Sequence, residues 1–392
     1  MSKYNIGFWN YVETGVIDER QAVSDWVELG MNLAMSFEFD IKQHDKASMY
    51  AVLDECYKKG LKVIVCDKRT SYYEHKQVGE ENYRQGVRQA VKDFGSHPAV
   101  FGFHIGDEPL KEYWESAIRA FVINKEEAEH LTPFINFFPY FLDRKSFQRM
   151  LGVKNSDYGN KIREFLKRTG AKLISYDFYG QCGRFERRKW TNAYFTNLKL
   201  FHDACAEYGA VLFTSLLSVG HWAYRIPSED DLRWQLSTAI AHGCEGLMWF
   251  FIYERSLDGS YRMSPIDLFY HRTPMFDLLA RQNNTYLQYH CKILENYKFD
   301  RVEHYRRAYG GYPKFKGKGT LKKIKTVINP EPMSVSYFYN DKGEECIAVV
   351  NMSQDKPTCV KFTFLGEFEK YGKSNYWFAP GQMMIFTKEK VL

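Results

Sequence analysis

Hydrophobic positions along the chain recur with period two in short runs and with a period near 3.6 in the longer runs between them, and the switch repeats eight times before residue 297. Alternating runs at 6–12, 32–40, 61–66, 100–108, 133–139, 171–179, 210–218 and 246–253 predict strands. Between them lie amphipathic stretches. One starts near Asp18 and carries Ala22, Val23, Trp26 and Val27 on one stripe, and one at 47–59 closes on Gly60. Others run over 80–94, 110–131, up to Gly170, over 190–208, from Ser228 and over 274–297. Ser228 with an acid three residues later predicts a capped helix start. Strand and helix alternating eight times predict an α/β fold, a (β/α)₈ barrel, and no glycine-rich phosphate loop follows the first strand to suggest an open sheet.

After Tyr297 the pattern changes to short alternating runs at 334–339, 346–351 and 361–364, separated by turn sequences such as NDKG. The expected organisation is a barrel over 1–297 and a C-terminal antiparallel β-sandwich over 298–392. The Lys-rich passage GGYPKFKGKGTLKK reads as a solvated connection, with a polyanion patch as the alternative. A chain of 392 residues, 45% hydrophobic and 17% aromatic, can bury such a core. The charge of +6 comes from cations spread among nearly as many acids, so nucleic acid is not an expected partner. No run reaches membrane-spanning length without charges, so no membrane association is expected. Eight scattered cysteines without a CxxC pair predict buried free thiols. The opening carries no signal-peptide pattern, so a cytoplasmic location is expected unless a leader has been removed. Oligomeric state stays open.

The run VFGFHIGDEP at 100–109 ends on two acids and a proline. Strict alternation turns Phe101, Phe103 and Ile105 toward helices and Gly102, His104, Gly106 and Glu108 toward the barrel interior. Asp107 then faces outward, and Pro109 holds Glu108 extended. The same reading turns Glu38 and Asp40 inward on strand two, Asn136 on strand five, and Asp177 and Tyr179 on strand six. Glu254 ends strand eight. Trp9, Trp222 and Trp249 supply flat rings near the strand ends, Trp249 being equally suited to the core. Glu38 and Asp40 either meet a ligand or pair with Lys68 or Arg69. The histidines form no HxH or HExxH pair, no GxSxG is present, and Lys172 starts its strand at the wrong end for a Schiff base, so no metal or cofactor is expected. Paired acids among aromatic and amide groups suit glycoside hydrolysis, with an oligosaccharide as partner.

The succession GFHIGDEP, INFFP, LISYDFYG and IPSEDDLRWQLSTAIAHGCEGLMWFFIY resembles the clan A glycoside hydrolases over about residues 4–297, most of all barrels related to the family 42 β-galactosidases. The C-terminal part is similar to the small β domains that follow such barrels. The resemblance implies cleavage of a β-linked oligosaccharide, with Glu108 as general acid in place of the Glu of Asn-Glu-Pro. Asp107 stands where the family has the Asn that touches a sugar hydroxyl. The family's nucleophile ends strand seven, and TSLLSVGHW has no acid there. Asp177 is the candidate second carboxylate, Glu254 and Glu38 are alternatives, and a noncatalytic carbohydrate-binding barrel is the remaining reading. The separation of the two carboxyls would set the stereochemistry. Trp9, Asp40, His104, Asn136, Tyr179, Trp222 and Trp249 are the candidate substrate contacts.

Overall fold

A computed structural model describes residues 3–141, 143–183, 187–256 and 260–392. Eight parallel strands form the barrel: β1 (Asn5–Phe8), β2 (Leu33–Met35), β3 (Lys62–Val65), β4 (Val100–Asp107), β5 (Phe134–Phe137), β6 (Leu173–Asp177), β7 (Val211–Leu217) and β8 (Gly246–Phe250). From β2 to β8 each pairs with the next in the chain, and β8 pairs back onto β1. Between β1 and β2 the Asn32 side chain takes over part of the ladder: its Oδ1 accepts from the Ile6 amide at 2.8 Å and its Nδ2 donates to the Tyr4 carbonyl at 3.0 Å. Gly7 permits this approach, since a Cβ there would lie 2.5 Å from the Leu33 carbonyl oxygen.

Helices α1 (Glu19–Glu28), α2 (Lys46–Lys59), α3 (Tyr72–Val78), α4 (Glu80–Ala90), α5 (Trp114–Glu127), α6 (Arg144–Leu151), α7 (Tyr158–Thr169), α8 (Arg187–Tyr208), α9 (Glu229–Ala241) and α10 (Pro274–Thr285) fill the connections. The short α3 had no counterpart in the periodicity. The capping box at Ser228 and Asp231 forms as expected, and Gly60 closes α2 at φ 78°. All eight cysteines are buried and free.

Two strands depart from strict alternation. Leu33 and Met35 point into the barrel and Ala34 points out, the reverse of the sequence reading. The phase inverts at Ser36, whose hydroxyl leaves the ladder to donate to the Phe37 carbonyl and accept from the Cys66 amide. Strand β4 carries two register shifts, one against β3 and one against β5. They turn Phe101, His104 and Asp107 toward the interior and Phe103 and Ile105 toward the helices. Glycines mark both places: a Cβ on Gly102 would collide with the Thr132 carbonyl, and Gly106, at φ 144°, has the Tyr72 ring against it.

The C-terminal part holds a four-stranded sheet of β9 (Lys298–Tyr305), β11 (Met333–Tyr339), β12 (Glu345–Asn351) and β15 (Met383–Phe386). A three-stranded sheet of β10 (Leu321–Ile328), β13 (Thr358–Phe364) and β14 (Asn375–Phe378) packs over it around a core that includes Val335, Ile347, Phe362 and Phe386. Part of the Lys-rich passage is therefore strand β10 and not a free connection.

The sandwich docks on α9. The Trp234 indole donates to the Met352 carbonyl at 2.9 Å, and the Ser336 hydroxyl to the Ala241 carbonyl at 2.6 Å. Beside them His242 from the barrel and His304 from β9 are fully buried and join Nε2 to Nε2 at 2.8 Å. His242 Nδ1 donates to the Thr238 carbonyl, and the Tyr309 amide donates to His304 Nδ1. Those partners fix both tautomers, so His304 Nε2–H donates to His242 Nε2 and neither ring has room for another proton. Burial holds His242 down at about 3 and His304 well below its usual value. The unfolded chain takes up these protons near pH 6.5 and the folded chain does not, so stability is full above that pH and falls below it. Thermal denaturation from pH 7 to 4 is expected to show a falling midpoint. Each such histidine adds a slope of up to about 1.4 kcal/mol per pH unit, and His242→Gln reduces it.

Candidate active site

The carboxyl ends of the strands open into a cleft of about 440 Å³ lined by residues that include Trp9, Tyr11, Glu38, Asp40, His104 and Asp107. Trp9 is 3% exposed and forms part of its floor, its indole donating to Ser215 Oγ on β7 at 2.9 Å. The His104 ring meets Trp9 edge-on, and its buried Nε2 has no hydrogen-bond partner. Burial lowers this histidine to about 4, so it is neutral at physiological pH.

Three carboxyl groups gather beside this floor. Asn136 on β5 lies between two of them, its Nδ2 donating to Asp107 Oδ1 at 2.9 Å and Asp177 Oδ1 at 3.0 Å. Adjacent strands make this possible: Asp107 pairs with Asn136 across β4 and β5, and Asn136 with Ser175, two residues before Asp177, across β5 and β6. Asp177 lies close enough to Glu108 for its charge to raise the Glu108 carboxyl. The Glu108 amide donates to the Asn136 carbonyl at 2.9 Å. The backbone at Glu108 is left-handed, φ 47°, and not extended as Pro109 suggested. A non-glycine residue held there costs about 1–3 kcal/mol and is typical of functional sites.

Burial is the largest influence on all three acids, and repulsion from neighbouring acids adds to it at Glu108 and Asp177. Glu108 is pushed well up by burial and then by Asp177 and Asp107. Asp177 rises to about 7 by burial and the Asp107 charge, and Asp107 to about 6 by burial, which the Asn136 hydrogen bond and Arg255 oppose. Glu108, raised by burial and by both neighbours, is the member of the cluster that binds a proton most readily. Removing one charge should release that proton. In Asp177→Asn the Glu108 carboxyl is expected to titrate at lower pH than in the wild type, as read by carboxyl carbon NMR.

The remaining candidates separate by position. Asp40 stands at the outer rim, accepts from the Lys42 amide at 3.0 Å and pairs with Lys68 at 3.0 Å, so it is satisfied by the protein itself. Glu38 is exposed at the rim, paired backbone to backbone with Glu13. Burial raises its pKa, Arg255 opposes this, and Glu13 adds to it. Glu254 lines a neighbouring hollow together with Trp222, which is 71% exposed and also left-handed. Tyr179 is buried, stacks on Phe250 and walls the carboxyl group without lining the cleft. Trp249 lies away from the mouth. It is fully buried on the outer face of β8, its indole donating to Asn283 on α10 at 2.9 Å.

Two participants escaped the sequence reading. Asp107 faces the cleft because of the β4 register shift, and Gly106 was the signal for it. Tyr11 lines both the cleft and the neighbouring hollow, with the Arg255 guanidinium 4.1 Å from its ring center. Strand β7 presents Ser215 and no acid at the mouth. Among the described residues no group of three or more His, Cys, Asp or Glu is placed to hold a metal ion.

No protein-family model matches the chain, and a search of curated proteins finds no relative. Solved structures match well over its fold. A β-galactosidase from the psychrophilic Marinomonas ef1 is 13% identical with a TM-score of 0.52, over 75% of this chain and 62% of that one. The cold-adapted β-galactosidase from Rahnella sp. R3 is 12% identical with a TM-score of 0.53, over 77% and 58%. GH5_18 from Streptomyces cattleya, solved in complex with GlcNAc, is 11% identical with a TM-score of 0.50, over 74% and 82%. The chain thus spans about six-tenths of the length of these two β-galactosidases. The barrel has the fold of glycoside hydrolases. No helix among the described residues is long and apolar enough to cross a membrane.

Proposed function

We propose that this barrel is a glycoside hydrolase acting on a β-linked oligosaccharide, of the kind cleaved by the family 42 β-galactosidases. The unit over 298–392 serves as a noncatalytic sandwich. The observation that carries the reading is the Glu108–Asp177–Asp107 cluster at the barrel mouth, three buried acids all raised above their ordinary values and Glu108 pushed well up. Glu108 donates its proton to the departing glycosidic oxygen as the bond to the anomeric carbon breaks. Asp177 supplies the second carboxylate, and Asn136 fixes its direction. Asp107, reached from the cleft, accepts a sugar hydroxyl. Trp9 and Tyr11 offer rings for the sugar faces, and Trp222 extends the surface at the rim.

Glu108 and Asp177 are in electrostatic contact, the Asp177 charge raising Glu108; retaining pairs stand roughly 5 Å apart and inverting ones 6.5–9.5 Å, so the first anomer released reports how Asp177 acts. This contact, with the missing acid on β7, also favours the second reading, a barrel that binds carbohydrate without cleaving it. Proton NMR of the protein with a panel of β-linked oligosaccharides separates the two. Released sugar supports the hydrolase, and ligand-dependent shifts without product across the panel support the binding barrel.

Trp222→Ala is expected to raise KM several-fold on oligosaccharides long enough to reach the rim and to leave kcat nearly unchanged, because the ring stands outside the carboxyl cluster. Steady-state kinetics on substrates of increasing length checks this.

A further inference from the structure

The positive charge of this protein is concentrated in one place. Residues 298–392 hold 17 Lys and Arg against 10 Asp and Glu, and between Glu303 and Glu331 there are eight cations and no acid. Folding sets two of these eight, Lys323 and Lys325, on one sheet face beside Lys361. Strand β10 pairs antiparallel with β13, and β13 with β14, and this sheet turns one face to the sandwich core through Ile324, Val360, Phe362 and Phe378. The opposite face is open to solvent. Lys325 stands directly across from Lys361, and Lys361 from Asn375, while Lys323 stands across from Thr363. All five side chains are exposed. Like charges directly opposed on one sheet face destabilise it, and among the described residues none of these three lysines has an ion-pair partner. The acids nearest in sequence, Glu331, Asp355 and Glu367, each lie six residues away and outside the three strands.

One strand further, Trp377 stands on the same face opposite Cys359, 55% exposed, with Val327 of β10 also exposed. A tryptophan this open on a regular strand presents more than half of its surface to solvent. A flat ring beside a fixed row of ammonium groups matches a polymer with an apolar face on each unit and a negative charge at regular intervals. We infer that the outer face of the β10–β13–β14 sheet binds an acidic polysaccharide, Trp377 stacking on a sugar ring and Lys323, Lys325 and Lys361 holding its carboxylates. The choice of a glycan over other polyanions rests on the glycosidase reading of the barrel; the binding itself does not.

Affinity electrophoresis of the full chain through gels containing polygalacturonate, neutral galactan or no polymer tests this, with double-stranded DNA as a competitor. The expected result is retardation by polygalacturonate at low salt, lost as NaCl is raised, and none by galactan. Lys325→Gln with Lys361→Gln should weaken it at least tenfold, and Trp377→Ala several-fold, all three positions being exposed enough for the variants to fold. Glu108→Gln should bind as the wild type does, which separates this surface from the barrel site. Absence of retardation, retardation unchanged in the lysine or tryptophan variants, or displacement by DNA at equal charge concentration would each overturn the proposal.

Discussion

Glu108→Gln is expected to lower kcat by about 10²- to 10⁴-fold, the usual contribution of a positioned general acid. The glutamine keeps the shape of the carboxyl and loses the proton. The loss should be largest for sugar leaving groups, which need protonation, and much smaller for a nitrophenyl leaving group, which departs as a stable anion. Stability should not fall. Glu108 is one of three crowded acids with burial as their main perturbation, and an amide there stays neutral at every pH, so no charge is buried at that position. Kinetics on paired substrates and a thermal melt check both halves. An equal loss on both substrates would assign Glu108 a role other than proton donor.

The second large effect concerns the seam between barrel and sandwich. Trp234→Ala should destabilise the protein by about 3–5 kcal/mol, the usual cost of deleting a fully buried large aromatic side chain. Trp234 is 0% exposed, its ring meets Tyr194 and Phe195 on α8, and its indole holds the Met352 carbonyl of the sandwich. Gly381 lies so close that a Cβ would be 2.4 Å from the Trp234 Cα. Urea denaturation should report the loss, and the sandwich should release early, giving two transitions where the wild type has one. A loss below about 1 kcal/mol would mean that the seam holds without this anchor.

Much of this architecture was legible because long periodic runs report burial directly. Strands β5 and β6 obey strict alternation, and so Asn136, Asp177 and Tyr179 point where the pattern sent them. Strands β2 and β4 do not, because Ser36 and the two shifts near Phe101 and Ile105 each displace the phase by one residue. An error of one residue exchanges faces, which is how Asp107 came to be read as outward. Trp249 illustrates another limit: β8 is apolar on both sides, and periodicity carries no phase when every position is hydrophobic. The left-handed backbone at Glu108 is a further feature that no local signal announces.

The proposed chemistry depends on Glu108 keeping its proton at neutral pH. Carbon NMR of the protein labelled at its glutamate side-chain carboxyls, titrated from pH 4 to 9 with Glu108→Gln for assignment, tests it most directly. The acid form of Glu108 should persist through pH 7. A Glu108 signal that ionises near pH 4.5, like an ordinary surface glutamate, would contradict it.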